Sequence, residues 1–434
     1  SHTITPPLYS GIIVNPDLYA DFLQNAEFSS LNIGGAARYF RKFKRGIFNN
    51  ELILLSANEN IFSGVQLTPK NSTQSEQPSN FDNQLTYSRS IVSNRATISY
   101  NVSEKLALSA GLSTVSLNLK LKDPVVNRVS TLYRWFFLPS AGLSRNLTNS
   151  GKLSLSYSAG YQLPVINQLY QQLILGSNRD FIVGSADLNT AINHNASISF
   201  SKNNLVKNKL LYFASANYSS RGITYLTNSI ITAFYTVKEN IVTDRRNGDF
   251  ILLSRVEKYW KPLRSNFSLD VTAGRQYNFN LIDDILFSSR NTAYSLAFQV
   301  KSGFDRFFNF QARVRFSETI GKNRSEQSSG ARFANQQLNP SAKLIFDPGK
   351  KIIFDYSVEA LSITDAEGNK SSVIFHDFNF KYLVKKDKVD IVLTGRNLSN
   401  RRSFVFSTVT PLSETTSLNR LLPRFVLLQL NWRF

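Results

Sequence analysis

Residues 424–434, RFVLLQLNWRF, decide the class of fold, because apolar residues recur there at every second position. Val426, Leu428, Leu430, Trp432 and Phe434 fall on one face of an extended chain, since successive side chains of a strand point to opposite sides. The other face becomes polar towards the end of the stretch. This period of two predicts a β-strand with one apolar face.

The same alternation recurs through the chain, over 152–161, 294–300, 308–317 and 352–360. A soluble sandwich would alternate in the same way and hide its apolar faces in a core. Here the strands often reach ten or more residues, whereas soluble strands average about five or six. They cover nearly the whole sequence, and their polar faces are rich in Ser, Asn, Gln and Arg. These features favour an all-β fold, a large antiparallel transmembrane β-barrel of the outer-membrane type.

Three polar residues on one strand indicate which face of the predicted barrel wall is turned towards the lumen. Gln311, Arg313 and Arg315 alternate with apolar residues of the 308–317 segment. An arginine on the lipid face at mid-bilayer would cost roughly 2–4 kcal/mol. We therefore predict that these three side chains face the lumen. Arg275 has the apolar parity of its own strand, and we expect it at a membrane interface.

The connections between the predicted strands alternate in length. Short turns are expected near Lys42–Arg45, Ser103–Lys105, Thr148–Lys152, Lys202–Lys209, Lys261–Ser265, Phe304–Arg306, Asp347–Lys351 and Lys385–Lys388. The longest connections are expected at about 57–83, 165–193, 221–248, 320–333 and 399–422. Short periplasmic turns and long extracellular loops are typical of outer-membrane barrels. Residues 230–240 also have a strand pattern, which the alternation assigns to a protruding hairpin.

This reading gives about seventeen spanning strands, the first near 30–40. Single-chain bacterial barrels have even strand numbers with both termini periplasmic. We therefore expect residues 1–434 to be the C-terminal portion of a larger barrel. The alternative is an additional strand within residues 1–27.

Composition narrows the function. Among 434 residues there is no Cys and there are three His, which argues against thiolate and histidine-built centres. No Gly-rich phosphate loop, Gly-x-Ser-x-Gly or His-Glu-x-x-His motif occurs, and Asp283–Asp284 has the pattern of a loop pair. We expect no catalytic residue, metal or cofactor, although an acidic catalytic arrangement stays open. The net charge of +20 is scattered and indicates no nucleic-acid partner.

Three passages resemble a known family. The first joins LTYSRSI (85–91), RATISY (95–100) and LALSAGL (106–112). The second joins LPSAGL (138–143), LSLSYS (153–158), PVINQLY (164–170) and IVGSADL (182–188), where the family usually has Gly-Asn-Pro after the valine. The third joins GRNLSN (395–400), PRF (423–425) and the terminal Phe434. Together they resemble the C-terminal β-barrel of TonB-dependent receptors, in the version common in the Bacteroidetes.

The resemblance implies a 22-stranded barrel around a plug, in the bacterial outer membrane. Plug and TonB-contacting segment would lie N-terminal to the barrel, so contact with the TonB complex would be made through a missing N-terminal part. The implied function is TonB-dependent uptake of an unidentified ligand, with loops 165–193 and 399–422 as capture surfaces. The alternatives are an outer-membrane scaffold or interaction barrel without active transport, and a soluble β-rich adhesin.

Further partners follow from the same interpretation. Outer-membrane lipid and lipopolysaccharide would surround the apolar face, and a surface lipoprotein is a candidate partner. The C-terminal pattern of Phe434, Trp432, Leu430, Leu428 and Val426 resembles the signal that barrel assembly machinery recognises. The basic lumen residues would admit an anionic ligand.

Overall fold

The computed structural model describes the chain apart from residues 1, 5–18, 71–75, 149, 178–179, 205–208, 234, 305–306, 326–331, 350, 386–387, 410–413 and 433–434. Most of the described residues lie in β-strands. Two short 3-10 turns, Ser79–Phe81 and Ile166–Gln168, lie in connections between strands. Within the described ranges, no helix is long and apolar enough to span a bilayer.

Seventeen strands pair with one another in chain order, each antiparallel to the next. They are β2 (Tyr19–Phe43), β3 (Gly46–Pro69), β4 (Asn83–Ser103), β5 (Leu106–Asp123), β6 (Arg128–Thr148), β7 (Gly151–Gln162), β10 (Ala191–Asn204), β11 (Leu210–Gly222), β14 (Arg246–Trp260), β15 (Ser265–Ile282), β16 (Ile285–Ser302), β17 (Phe308–Ser325), β18 (Arg332–Gly349), β19 (Ile352–Thr364), β20 (Lys370–Lys385), β21 (Val389–Arg396) and β24 (Phe425–Trp432). This meander agrees with the predicted fold class and strand count.

The remaining strands lie in the connections, apart from β1, which pairs with β2. They are β1 (His2–Ile4), β8 (Ile174–Ser177), β9 (Asp180–Val183), β12 (Tyr225–Ile231), β13 (Thr236–Val242), β22 (Ser403–Val409) and β23 (Glu414–Arg420). The β12–β13 pair is an antiparallel hairpin between β11 and β14. A hairpin therefore lies within this connection, as predicted around 230–240, but it does not stand alone, because β12 pairs with β15 and β13 pairs with β9.

The strands end along two opposite sides of the sheet, which we call its short-turn edge and its long-connection edge. The connections at these two sides differ in length. At one edge, consecutive strands are separated by two to five residues, at the eight places where short turns were predicted. The other edge has the long connections 163–190, 223–245 and 397–424, although the strands there are also joined by two short turns that the length alternation did not predict, 124–127 and 283–284. The prediction of long connections was wrong over 57–69, which continues β3, and over 320–325, which continues β17. Both stretches keep a period of two despite their loop-like polar composition.

The strand register assigns every side chain to one of two faces, because directly paired residues of antiparallel strands point to the same side. Leu430 lies opposite Ile391, which lies opposite Tyr382, and this face continues through the sheet. We call it the apolar face, and the opposite one the polar face. Exposed aromatic and aliphatic side chains of the apolar face include Trp135, Phe137 and Phe298.

A buried core lies on the polar face, beside the long connections. Alternate residues of β5, Val115, Leu117, Leu119 and Leu121, pack there with residues of β4 and β6 and with Leu169 of the 163–190 connection. In the other half of β5, the apolar residues have the opposite parity. The apolar pattern therefore changes face partway along the strand, and only the short-turn half has an apolar outer surface.

Candidate functional site

The polar face of the strands carries ion pairs between neighbouring strands. Arg38 contacts Glu51 at 2.5 Å, and Lys343 contacts Asp355 at 3.2 Å. Five further links on the same face are Arg89–Glu59, Arg221–Asp249, Arg255–Asp270, Lys381–Asp390 and Arg396–Asp377. Mixed charge, hydroxyl and amide side chains make this face suitable for contact with water and polar solutes.

Gln311, Arg313 and Arg315 lie on this polar face of β17. The register sets Gln311 between Lys301 and Lys343 of the adjacent strands. Arg313 and Arg315 lie beside neutral residues of β16 and β18, and within the described part of the chain neither forms an ion pair. The three predicted side chains therefore lie in a locally positive patch, which could attract an anion.

A shallow depression adjoins this patch on β17–β20. Its volume is about 180 Å³, and Gln311, Lys343, Glu359, Phe375 and Asp377 contribute to its lining. Both signs of charge and an aromatic ring are thus available in one small space. Such a set of groups can hold a polar molecule by hydrogen bonds and one ring face.

The 163–190 connection covers the polar face at the long-connection edge. Ile166 and Leu169 enter the cluster formed by β4, β5 and β6, while Leu175 and Phe181 pack with Phe22, Val65, Leu67 and Phe81. We call this covered region the vestibule. Part of the connection that was predicted to capture ligand is therefore buried packing, and Val165 keeps an exposed side chain.

Buried polar contacts fix this cover to the strands. The backbone N–H of Leu175 donates to Gln24 Oε1 at 2.8 Å, and that of Gln172 donates to Asn83 Oδ1 at 3.1 Å. The Tyr225 hydroxyl donates to the Asp187 carbonyl at 2.6 Å. Each bond satisfies a group that would be costly to leave unpaired in the vestibule.

Burial also changes the acidity of two vestibule phenols. It raises the pKa of Tyr170 to about 12 and that of Tyr225 to about 12, because a phenolate would lose its hydration. For Tyr225 the backbone hydrogen bond at Asn189 opposes this effect, and Asp187 adds to it. Both side chains are thus neutral hydrogen-bonding and packing groups at physiological pH.

The connections 163–190 and 223–245 are joined to each other. Strand β9 pairs in parallel with β13, and Lys238 contacts Asp180 at 3.1 Å across this pair. Although burial opposes ionisation, hydrogen bonds from Ser177 and Lys238 hold the pKa of the Asp180 carboxyl below its ordinary value. The hairpins therefore form one added layer of sheet beside the vestibule.

A turn of two aspartates attaches this layer to the wall. Asp283 and Asp284 join β15 to β16 and have φ values of 47° and 62°. The Asn228 amide donates to Asp284 Oδ1 at 2.7 Å, and the Ile231 N–H donates to Asp283 Oδ1 at 3.1 Å. The pair thus lies in a turn, as its sequence pattern indicated, and the structure shows in addition that it anchors β12.

The 397–424 connection is more exposed than the vestibule cover. Its strands β22 and β23 form a separate two-stranded sheet, and Val405 and Leu418 have exposed side chains. The Ser371 hydroxyl donates to the Val405 carbonyl at 2.8 Å, which holds the hairpin against β20. Its exposed position makes it the more accessible of the two predicted capture surfaces.

The C-terminal pattern lies on the apolar face of β24. Exposed fractions are 61% for Val426, 70% for Leu428, 64% for Leu430 and 67% for Trp432. Phe434 lies outside the described residues. The register thus groups the four described members on one exposed surface, and their recognition by assembly machinery stays a prediction.

No cluster of three or more His, Asp or Glu suited to a metal ion occurs among the described residues. Two of the histidines instead form a hydrogen bond with a tyrosine hydroxyl on the apolar face. His194 Nδ1 is 2.8 Å from the Tyr157 hydroxyl, and His376 Nδ1 is 2.7 Å from that of Tyr356. These contacts give both rings a polar partner in apolar surroundings.

A family model described as outer membrane protein beta-barrel family matches residues 50–329. No curated protein sequence matches this chain.

Among solved structures, similar chains include the copper transporter OprC, at 11% identity over 98% of this chain and 88% of that one, with a TM-score of 0.35. Another is OmpT, an outer membrane protein of Vibrio cholerae, at 9% identity over 92% and 94%, with a TM-score of 0.28. A third is a double mutant of the Serratia marcescens hemophore receptor HasR in complex with HasA and heme, at 11% identity over 96% and 77%, with a TM-score of 0.30.

Proposed function

Since the chain belongs to the outer membrane protein beta-barrel family, we propose that it is the barrel of a TonB-dependent receptor, which takes up a ligand across that membrane. It is an outer-membrane protein, and its apolar face contacts lipid. The observation that supports the proposal is the polar face, whose ion pairs join neighbouring strands below long, structured connections. The sequence resemblance supplies the link to TonB.

The proposal extends to the organisation of the whole receptor. Seventeen long strands form one meander, and within the described residues the three-residue β1 pairs only with Phe22–Gln24 of β2. Seventeen is an odd number, whereas single-chain bacterial barrels have even numbers of spanning strands. We propose that residues 1–434 form the C-terminal portion of a barrel of about 22 strands, the number of plugged outer-membrane transporters. The mass and N-terminal sequence of the native protein, extracted from outer membranes in detergent, test this organisation. A mass equal to that of these 434 residues would overturn it.

Transport is tested in cells by the solutes that they remove from the medium. The parent strain is compared by mass spectrometry with a strain that lacks this protein and with a strain that lacks TonB. A solute left behind by both mutants is the expected result. A solute whose uptake needs this protein but not TonB would indicate a passive pore, and unchanged media in both mutants would reject uptake.

The positive patch on β17 suggests an anionic ligand. Arg313→Glu combined with Arg315→Glu should lower removal of anionic solutes, because two attractive charges on the path become repulsive. Lys120→Glu combined with Lys122→Glu is the matched control, since these residues lie on the apolar face of β5. Equal removal by both double variants would reject an anionic ligand and leave the transport proposal intact.

A structural or interaction barrel is the second candidate, and the exposed β22–β23 hairpin favours it. Val405 and Leu418 offer apolar contacts to a surface partner such as a lipoprotein. Crosslinking in intact cells from a photoreactive residue at 418, followed by mass spectrometry, would identify such a partner. A stable partner together with unchanged solute uptake in the deletion strain would favour this candidate over transport.

A further inference from the structure

A row of cations crosses the apolar face near the long-connection edge. The register sets Arg290 of β16 directly opposite Lys322 of β17, and Lys322 directly opposite Arg332 of β18. Arg275 of β15 and Arg324 of β17 lie on the same face nearby. We call Arg275, Arg290, Lys322, Arg324 and Arg332 the outer-face cation cluster. Like charges directly opposite one another destabilise a sheet, so this arrangement calls for an anion.

The level of the cluster relative to the bilayer follows from β17. Its apolar-face residues from Phe308 to Phe316 are Phe, Phe, Ala, Val and Phe, after which come Glu318, Ile320 and Lys322. Lys322 lies six positions after Phe316, which is about 20 Å along a strand and roughly 15 Å in height at barrel tilt. The cations therefore lie above the hydrocarbon, at the level of headgroups of the outer leaflet.

The cations of the cluster differ from those of the polar face in their acidic surroundings. Polar-face cations such as Arg38 and Lys343 contact carboxylates on an adjacent strand. Within the described residues, no member of the cluster forms an ion pair. The acidic side chain among the apolar-face residues of β15–β18 is Glu318, which accepts hydrogen bonds from Tyr294 and Gln336. Arg332 interacts electrostatically with this carboxylate, whereas Arg290 and Lys322 have no carboxylate partner among the described residues, so their charges favour an anion from outside the sheet.

Aromatic contacts hold two of the guanidinium groups in place. Arg275 and Arg290 lie over the Tyr277 ring, with distances of 6.0 Å and 5.4 Å from guanidinium carbon to ring centroid. Lys322 and Arg332 have exposed side chains. Below them, Phe316 and Leu338 continue the lipid-facing surface. A charged upper row above an apolar surface matches an amphiphile with phosphate groups on its head and acyl chains below.

We propose that the outer-face cation cluster binds the phosphate groups of an outer-leaflet glycolipid of the lipid A type. Arg290 and Arg332 can each grip a phosphate through two N–H groups, and Lys322 between them adds a point charge. The acyl chains would lie along the apolar face below. This site is independent of the proposed transport, because it faces away from the lumen.

The test uses purified protein in detergent and diphosphoryl lipid A, with bound lipid counted by native mass spectrometry. Each cation near an anionic lipid strengthens attraction by about a factor of five, so Arg290→Gln combined with Lys322→Gln should weaken binding about 25-fold. Lys120→Gln combined with Lys122→Gln removes the same charge from the apolar face of β5, where the paired residues on β4 and β6 are uncharged, and should leave binding unchanged.

Three further measurements distinguish a lipid site from misfolding of the variant and from a site for free phosphate. The charge-preserving pair Arg290→Lys and Lys322→Arg should retain binding, which guards against loss through misfolding. Equal binding by the Arg290→Gln/Lys322→Gln variant and the parent would overturn the proposal. So would equal binding of dephosphorylated lipid A to the parent protein. Competition by millimolar inorganic phosphate would identify a site for the free anion and would equally reject a lipid site.

Discussion

Replacing Leu169 by alanine is expected to release the 163–190 connection from the vestibule. Leu169 is fully buried and packs on the apolar stripe of β5. Leu→Ala in a core costs about 2–5 kcal/mol, including the cavity left behind. The substitution acts on the docked connection and leaves the lipid-facing residues unchanged. Its cost should therefore appear as local opening while the barrel stays folded.

Hydrogen exchange measures this opening directly. A cost of about 3 kcal/mol raises the open population roughly 100-fold, since about 1.4 kcal/mol corresponds to a factor of ten. Peptides from 163–190 should thus exchange roughly 100-fold faster in the Leu169→Ala protein under conditions where opening is at equilibrium. Peptides from β15–β18 should exchange at the parent rate.

Val165→Ala provides the matched control, because Val165 lies four residues earlier and its side chain is 48% exposed. This variant should keep the parent exchange rates. If both variants exchanged alike over 163–190, packing by Leu169 would not hold the cover, and the vestibule argument would fail. Retained heat-modifiable migration in detergent gels would establish that the barrel itself is folded in both proteins.

Three further predictions concern other parts of the chain. Trp432→Ser should lower the fraction inserted in the outer membrane, whereas Gln429→Ala, on the polar face of the same strand, should not; equal insertion would reject an assembly role for the terminal pattern. Because the folded-state pKa of Tyr170 is about 12, above the ordinary value of 10.0, the docked connection should be fully stabilised below about pH 10 and should lose this stabilisation as pH rises towards 12. Exchange over 163–190 that stays constant between pH 8 and 12, after correction for the intrinsic rate, would contradict this. Asp284→Ala removes the acceptor for Asn228 and places alanine at a φ of 62°, so it should loosen β12 by about 1–3 kcal/mol; proteolysis within 223–245 at the parent rate would contradict it.

The short-turn half of the barrel could be predicted from the sequence with little loss. Apolar and polar residues alternate with a period of two, as at 308–316, because one face of the strand contacts lipid and the other contacts water. That physical cause acts within each strand, so it can be read locally. The eight predicted short turns fall between strands of the described chain for the same reason, since each marks a break in the alternation.

The long-connection half could not be predicted as well, because its contacts join distant parts of the chain. Strand β9 pairs with β13, and β12 pairs with β15, both in parallel. No local pattern in 174–183 specifies such partners. In the 163–190 connection, which was predicted as a capture surface, Tyr170 and Phe181 are buried in the vestibule. Part of this connection is therefore packing against the neighbouring strands, and ligand capture by its exposed residues stays a prediction.

One signal for the vestibule was nevertheless present in β5. Leu106, Leu108, Ala110 and Leu112 have even numbers, whereas Val115, Leu117, Leu119 and Leu121 have odd numbers. A strand cannot change side-chain direction without a bulge, and the register between β5 and β6 runs unbroken. The change of parity therefore means that the apolar environment moves from one face to the other. Lipid lies outside the first half, and the 163–190 connection lies inside the second.

This interpretation predicts opposite effects for two pairs of substitutions in the same strand. Leu117→Ser with Leu119→Ser should permit insertion but expose 163–190 to exchange, because buried hydroxyls and cavities disrupt the vestibule core. Leu108→Ser with Leu112→Ser should lower insertion, since these exposed residues face lipid, and the inserted molecules should keep 163–190 protected. Each pair controls for the other, because the chemistry and the number of changes are identical. If the 117/119 pair blocked insertion and left protection intact, residues 115–121 would lie within the lipid-facing span, and the change of parity would need another cause.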